Sequence, residues 1–159
     1  MSEQVRAVID TSSLVGYALR RDLQQAAQIG LFKAFWSPWI IAELNRVLVW
    51  RWIKDRTGND LSRANERACS ESAKAMMALL LPVFDLVAPL PPYPTAWETL
   101  TDAWDHPIYA AAVASRAHYI VSENTHDYPP RNADGFHIYN SIEYLSGQRF
   151  LNRVYGDEK

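Results

Sequence analysis

Residues 104–130 read WDHPIYAAAVASRAHYIVSENTHDYPP, and the fold turns on them. Asp105 opens an alanine-rich apolar helix. That helix feeds a short apolar strand, HYIV at 118–121, which stops in the polar run Ser122, Glu123, Asn124, Thr125, His126 and Asp127. Strands that alternate with helices point to a parallel sheet covered by helices on both faces.

The rest of the chain repeats the alternation. VRAVI at 5–9 reads as a buried strand ending at Asp10, after which Thr11, Ser12 and Ser13 offer side-chain oxygens to cap a helix from near Leu14. LFKAFW at 31–36 is the second strand. Ser37 followed by Pro38 signals a helix start, since proline at the first helical position gives up an amide that would be unpaired anyway. The helix runs through WIIAELNRVLVW, and TGND at 57–60 breaks it. Asp60 or Ser62 then starts a long helix to about Leu81. PVFDLVA is the third strand and PLPPYP a turn region, followed by helices from about 96 and from 105. FHIY at 136–139 is the fifth strand, with a short closing helix at 141–146. The pattern predicts a three-layer α/β/α domain over 1–147, and a polar tail over 148–159 lying outside the core.

Composition bounds the function. A chain of 159 residues, 48% of them apolar, can bury a real core in one domain. Its longest apolar run, AMMALLLPVF, is too short for a bilayer and contains Pro82. A single cysteine, Cys69, excludes a disulfide within one chain; with no secretion-signal pattern in MSEQVRAVID, a cytoplasmic location is expected. The net charge of -2 gives no bulk positive field for nucleic acid, so an enzyme acting on it would need metals or local arginines.

In a parallel sheet, chemistry gathers beyond the carboxyl ends of the strands, where strand order reverses. Asp10 follows the first strand and the Ser122 run follows the fourth. Glu43 shares a helix face with Ile40, Leu44 and Val47, an expensive place for a carboxylate without a partner. Asp10, Glu43 and Asp105 each need compensation, and one divalent ion could supply it. Oxygen ligands suit Mg²⁺ or Mn²⁺; zinc would favour histidine and cysteine.

VIDTSSL, SPWIIAELNRVL, DAWDHPIYAAAVASRAHYIVSENTHDYP and GFHIYNSIEYL resemble, in order, the motifs of the PIN domain. They are most similar to VapC-like ribonucleases, the toxins of bacterial toxin–antitoxin pairs, over about Arg6 to Tyr144. The resemblance implies a parallel sheet ordered 3-2-1-4-5 and Mg²⁺- or Mn²⁺-dependent cleavage of single-stranded RNA by clustered acids. It also implies a homodimer and a small antitoxin that inserts into the site. Asp10, Glu43 and Asp105 match the first three acidic positions, as catalytic residues and metal ligands. The fourth falls on Asn124, whose amide oxygen can ligate but brings no charge. A second ion should then bind more weakly; Asp127, three residues on, could compensate, although it also matches the family's DFP position, usually a structural one. Thr11, Ser12, Ser122, Thr125 and Asp127 are candidates to orient the ligating groups.

Each residue also has a plainer reading. Asp10 could be a turn residue. Asp105, two before Pro107, could be a helix cap worth about 1 kcal/mol, and Asp102 a solvated acid. Glu43 could pair with Arg46 in a surface bridge worth ~0.3–0.5 kcal/mol. His106 and His126 read as surface or capping residues, and Arg20 and Arg21 serve a helix dipole or touch RNA. In VWRWIKDRTG at 49–58, Trp50 and Trp52 diverge on a helix, so one belongs to the core. The stretch reads first as a dimer or partner surface; Arg46, Arg51 and Lys54 are the candidate RNA contacts. A catalytically weak or inactive binding module on the same fold is the second overall reading. A phosphoryl-accepting enzyme is disfavoured, because DTSS lacks a second acid two residues after Asp10 and no glycine-rich phosphate loop is present.

Overall fold

The computed structural model describes residues 2–97, 100 and 105–157. Strand β1 (Arg6–Ile9) is central, with Ala7, Val8 and Ile9 wholly buried, as an apolar run covered on both faces must be. It is followed directly by α1 (Thr11–Leu14) and α2 (Tyr17–Gln28). The cap of α1 is Asp10 itself, whose side chain accepts from the Thr11 amide, rather than the Thr11–Ser13 hydroxyls. The helix starts earlier than expected because the carboxylate takes the cap, and it breaks at Gly16 after one turn.

Strand β2 (Lys33–Trp36) leads to α3 (Pro38–Thr57), where Ser37 caps by accepting from the Ile40 amide at 3.2 Å. Gly58 ends α3 in the left-handed region at φ 63, a conformation that costs glycine little. Ser62 caps α4 (Arg63–Leu80), and β3 (Phe84–Leu86) is shorter than the expected strand. Ala96 and Trp97 are irregular, and most of the helix expected there lies outside the described residues, as does Asp102. Helix α5 (His106–Ser115) is buried over Pro107–Ala112 and feeds β4 (Tyr119–Val121).

The C-terminal part differs from expectation. Of FHIY only Ile138–Tyr139 forms a strand, β5, and residues 142–145 are not helical but form β6 (Ile142–Leu145). Asn140 and Ser141 join them with φ of 49 and 64, the positive-φ pair of a tight hairpin turn. The polar tail is also corrected. It forms α6 (Gly147–Tyr155), capped by Ser146, with Phe150 0% exposed and in edge contact with Phe32 and Tyr119. An aromatic ring and Leu151 repaid burial despite the polar average of the segment.

The sheet runs β3-β2-β1-β4-β6-β5. The order 3-2-1-4 is as expected; β6 takes the fifth position, parallel to β4, and β5 is an antiparallel edge. Order reverses between β1 and β4, which pair in parallel with Ile9 opposite Val121. Their carboxyl ends therefore open side by side.

Candidate functional site

Asp10 leaves β1 where its amide bonds the Val121 carbonyl at 2.9 Å. Its carboxylate is 8% exposed and accepts three bonds, from the Thr11 amide at 2.8 Å, the Ser12 hydroxyl at 3.0 Å and the Ser122 hydroxyl at 2.9 Å. Both hydroxyls are themselves held by amides: Glu123 N–H donates to Ser12 at 2.9 Å and Asn124 N–H to Ser122 at 3.2 Å. Each serine thus accepts from the backbone and donates inward, so its dipole points at Asp10. Burial nevertheless raises the Asp10 pKa above its ordinary value. The three bonds oppose that shift, and the nearby negative charge of Asp127 adds to it.

Asp10, Asp105, Ser122 and Asp127 line one small cavity together with Tyr144 and two isoleucines. Its volume is about 10 Å³, the room one water-sized body needs. Asp105 reaches it without being spent on capping: the α5 cap is the Asp105 carbonyl, which accepts from Ile108 N–H at 3.2 Å, while its side chain makes no capping bond. Asp105 and Asp127 also line an adjoining cleft of about 630 Å³ with Trp39, Ala42, Glu43, Arg46 and Asn124. Glu43 lies beside the buried Ile40–Leu44–Leu48 stripe of α3 and not within it, so it is half-buried and faces the cleft. Thr11 ties it to the first strand by donating to Glu43 Oε2 at 3.1 Å. Asn124 donates its amide to Asp127 across the 3₁₀ turn Thr125–Asp127.

Asp10, Glu43, Asp105, Asn124 and Asp127 therefore meet around two adjoining spaces. Thr11, Ser12 and Ser122 hold the carboxylates; Thr125 lines neither space. Of the candidate RNA contacts, Arg46 is on the cleft. Arg51 lies beyond it, 3.9 Å from Asp55, and Lys54 is exposed in the last turn of α3. His106 donates through Nε2–H to the Leu100 carbonyl at 2.9 Å, and Arg20 donates to the carbonyls of Leu14 and Val15 at the end of α1. Trp50 is 57% exposed, whereas Trp52 packs on the core with Arg56 over its ring.

Two participants escaped the sequence reading. Trp39 stands four residues before Glu43 on the same helix face, where an apolar residue reads first as core. Glu123 accepts from Ser13 at 3.1 Å and from the Gly147 amide at 2.7 Å, tying the end of β4 to α1 and α6. A slightly larger depression of about 720 Å³ lies along α4 between Arg63 and Lys74, but its charged walls are long surface side chains with no buried carboxylate.

The donor set fits a hard divalent cation. It consists of carboxylate, amide and hydroxyl oxygens, while Cys69 is buried in α4, away from the acids. Among the described residues, no three acidic, histidine or cysteine side chains already stand as an assembled metal centre. No described helix is long and apolar enough to cross a membrane. No curated protein matches the chain as a relative. The PIN domain model matches residues 6–126, the span holding Asp10, Glu43, Asp105 and Asn124, and PIN domains are generally metal-dependent nucleases. With that match over most of its length and the 3-2-1-4 strand order, the chain belongs to the PIN domain family.

Proposed function

We propose that the protein is a Mg²⁺- or Mn²⁺-dependent endoribonuclease acting on single-stranded RNA, VapC-like, with a small antitoxin as its inhibitor. Asp10, Glu43 and Asp105 are its metal-binding acids, and Asp127 supplies the carboxylate that Asn124 lacks. The observation that carries this reading is the buried Asp10, pointed by three donors at a water-sized space shared with Asp105 and Asp127. Burying like charges together is costly, and a cation reverses the sign of that cost. A divalent ion held by Asp10, Glu43 and Asp105 would acidify a water and polarise the scissile phosphate.

The residues divide the remaining work. Ser12 and Ser122 keep Asp10 in an accepting orientation, and Thr11 does the same for Glu43. Asp105 and Asp127, shared by cavity and cleft, orient the water in line with the phosphorus. Water adds to phosphorus, the bond to the 3′ oxygen breaks, and the departing oxygen takes a proton. A homodimer in the cytoplasm completes the proposal; the exposed Trp50 and Leu61 near the α3–α4 end offer apolar surface for a second copy.

Labelled single-stranded RNA incubated with Mn²⁺ tests the reading. Cleavage by the unsubstituted protein and its loss in Asp10→Asn are expected; undiminished cleavage by Asp10→Asn overturns the mechanism. The neutral Asn124 favours one rival, a binding module without activity. RNA or protein binding with no cleavage of any RNA would decide for that module.

A further inference from the structure

On the α3 wall of the cleft, Trp39, Ala42, Glu43 and Arg46 recur at i, i+3, i+4 and i+7, one face of the helix. At 1.5 Å per residue, Trp39 lies about 6 Å before Glu43 along the axis and Arg46 about 4.5 Å after it. An aromatic ring and a cation thus flank the acid. The facing wall is Asp105, Asn124 and Asp127, so among the described residues that line the cleft Arg46 is the only cation. Among the described residues it stands in none of the ion pairs. Trp39 packs partly on the core with its indole nitrogen buried, so the cleft meets apolar ring surface and not the hydrogen-bond donor. Such a surface stacks any base and reads none by its edge.

We propose that this wall positions the nucleotide: Trp39 stacks the base beside the scissile phosphate, and Arg46 holds the next phosphate along the strand. The inference rests on the nuclease reading and adds to it a direction for the strand along α3 and a tolerance for base identity. A stacked base must be unpaired, so duplexes are excluded by their own stacking. Acidic walls repel the rest of the polyanion, which leaves Arg46 as the rim attraction.

The test measures binding to the full-length, cleavage-deficient Asp10→Asn protein at one fixed Mn²⁺ concentration, by anisotropy of a short labelled RNA and of a ribose-phosphate chain of equal length without bases. Trp39→Leu should weaken RNA binding roughly 5- to 150-fold and leave the base-free chain unaffected, with Trp39→Phe restoring most of the loss. Arg46→Gln should weaken both ligands and lower the slope of log affinity against log salt by about 0.7, and Arg46→Lys should keep that slope. Equal weakening of both ligands by Trp39→Leu, or none of either, overturns the stacking role while cleavage by the unsubstituted protein still supports the nuclease reading. If Trp39→Leu does not fold, two measurements decide: equal affinity of the unsubstituted cleft for RNA and the base-free chain, or an unchanged slope in Arg46→Gln, overturns the proposal. Failure of the unsubstituted protein to cleave any RNA removes the reading beneath it.

Discussion

Two acids stand at the ends of neighbouring strands, Asp10 after β1 and Glu123 after β4, and hydroxyls and amides hold both. Their surroundings differ in sign. Asp10 faces Asp105 and Asp127 across a water-sized cavity, and burial and Asp127 both work against its ionisation. Glu123 instead accepts from the first amide of α6, where the helix end carries partial positive charge, and from Ser13. Glu123 is finished as a structural tie. Asp10 is held in an accepting posture at a cost that the folded chain alone does not offset. Rich hydrogen bonding thus does not separate a structural carboxylate from a functional one; the charges around it do.

The widest separation between the two should appear in activity. Asp10→Asn is expected to lower RNA cleavage by roughly 10²–10³-fold or more, whereas Glu123→Gln should keep activity in the fraction that remains folded, as measured in single-turnover assays. Stability should show the converse. Glu123→Ala orphans the Gly147 amide and should cost roughly 1–3 kcal/mol in urea unfolding. Gly147→Ala should cost about as much, roughly 1–3 kcal/mol by overpacking, because a Cβ there would stand 2.7 Å from the Leu19 methyls and 2.9 Å from Glu123 Oε1.

The pH dependence of stability sharpens the contrast. With its pKa raised in the folded chain, Asp10 binds a proton more tightly folded than unfolded. Metal-free stability therefore falls as pH rises from the ordinary aspartate value of 3.8 through the raised value, and the full cost applies above it. Asp10→Asn should gain stability at neutral pH and lose that gain as pH falls towards 3.8, as measured by urea unfolding at several pH values. The smallest effect belongs to Ser122→Ala, about 0.5–1.5 kcal/mol. It should shrink when combined with Asp10→Asn, since part of the serine's value is its bond to the carboxylate.

The sequence made the first half of this arrangement readable. The SP start of α3, Ser62 before α4 and the apolar runs of β1 and β4 each carry a local physical cause, and local causes survive folding. Asp10 and the Ser122 run could be paired in advance because strand order alone brings their positions together. The C-terminal part was not legible on the same grounds. A run of four, IEYL, fits helix or strand until Asn140–Ser141 is recognised as a positive-φ turn that returns the chain into the sheet. Helix α6 did carry a sign, since Gly147, Phe150, Leu151 and Val154 keep the i, i+3, i+4, i+7 spacing, but average polarity concealed it. Trp39 was hidden because an apolar residue in the first turn of a helix is ordinarily core. Which wall of the cleft it lines depends on where α3 crosses the sheet.

Thermal unfolding with increasing Mn²⁺, for the unsubstituted protein and Asp10→Asn side by side, tests most directly whether the cost at Asp10 is there for a cation. Without metal, Asp10→Asn should melt higher; with metal, the unsubstituted chain should climb, as a ligand of the folded state requires, while the variant stays nearly level. A variant that melts lower without metal, or climbs as steeply with it, would contradict the account.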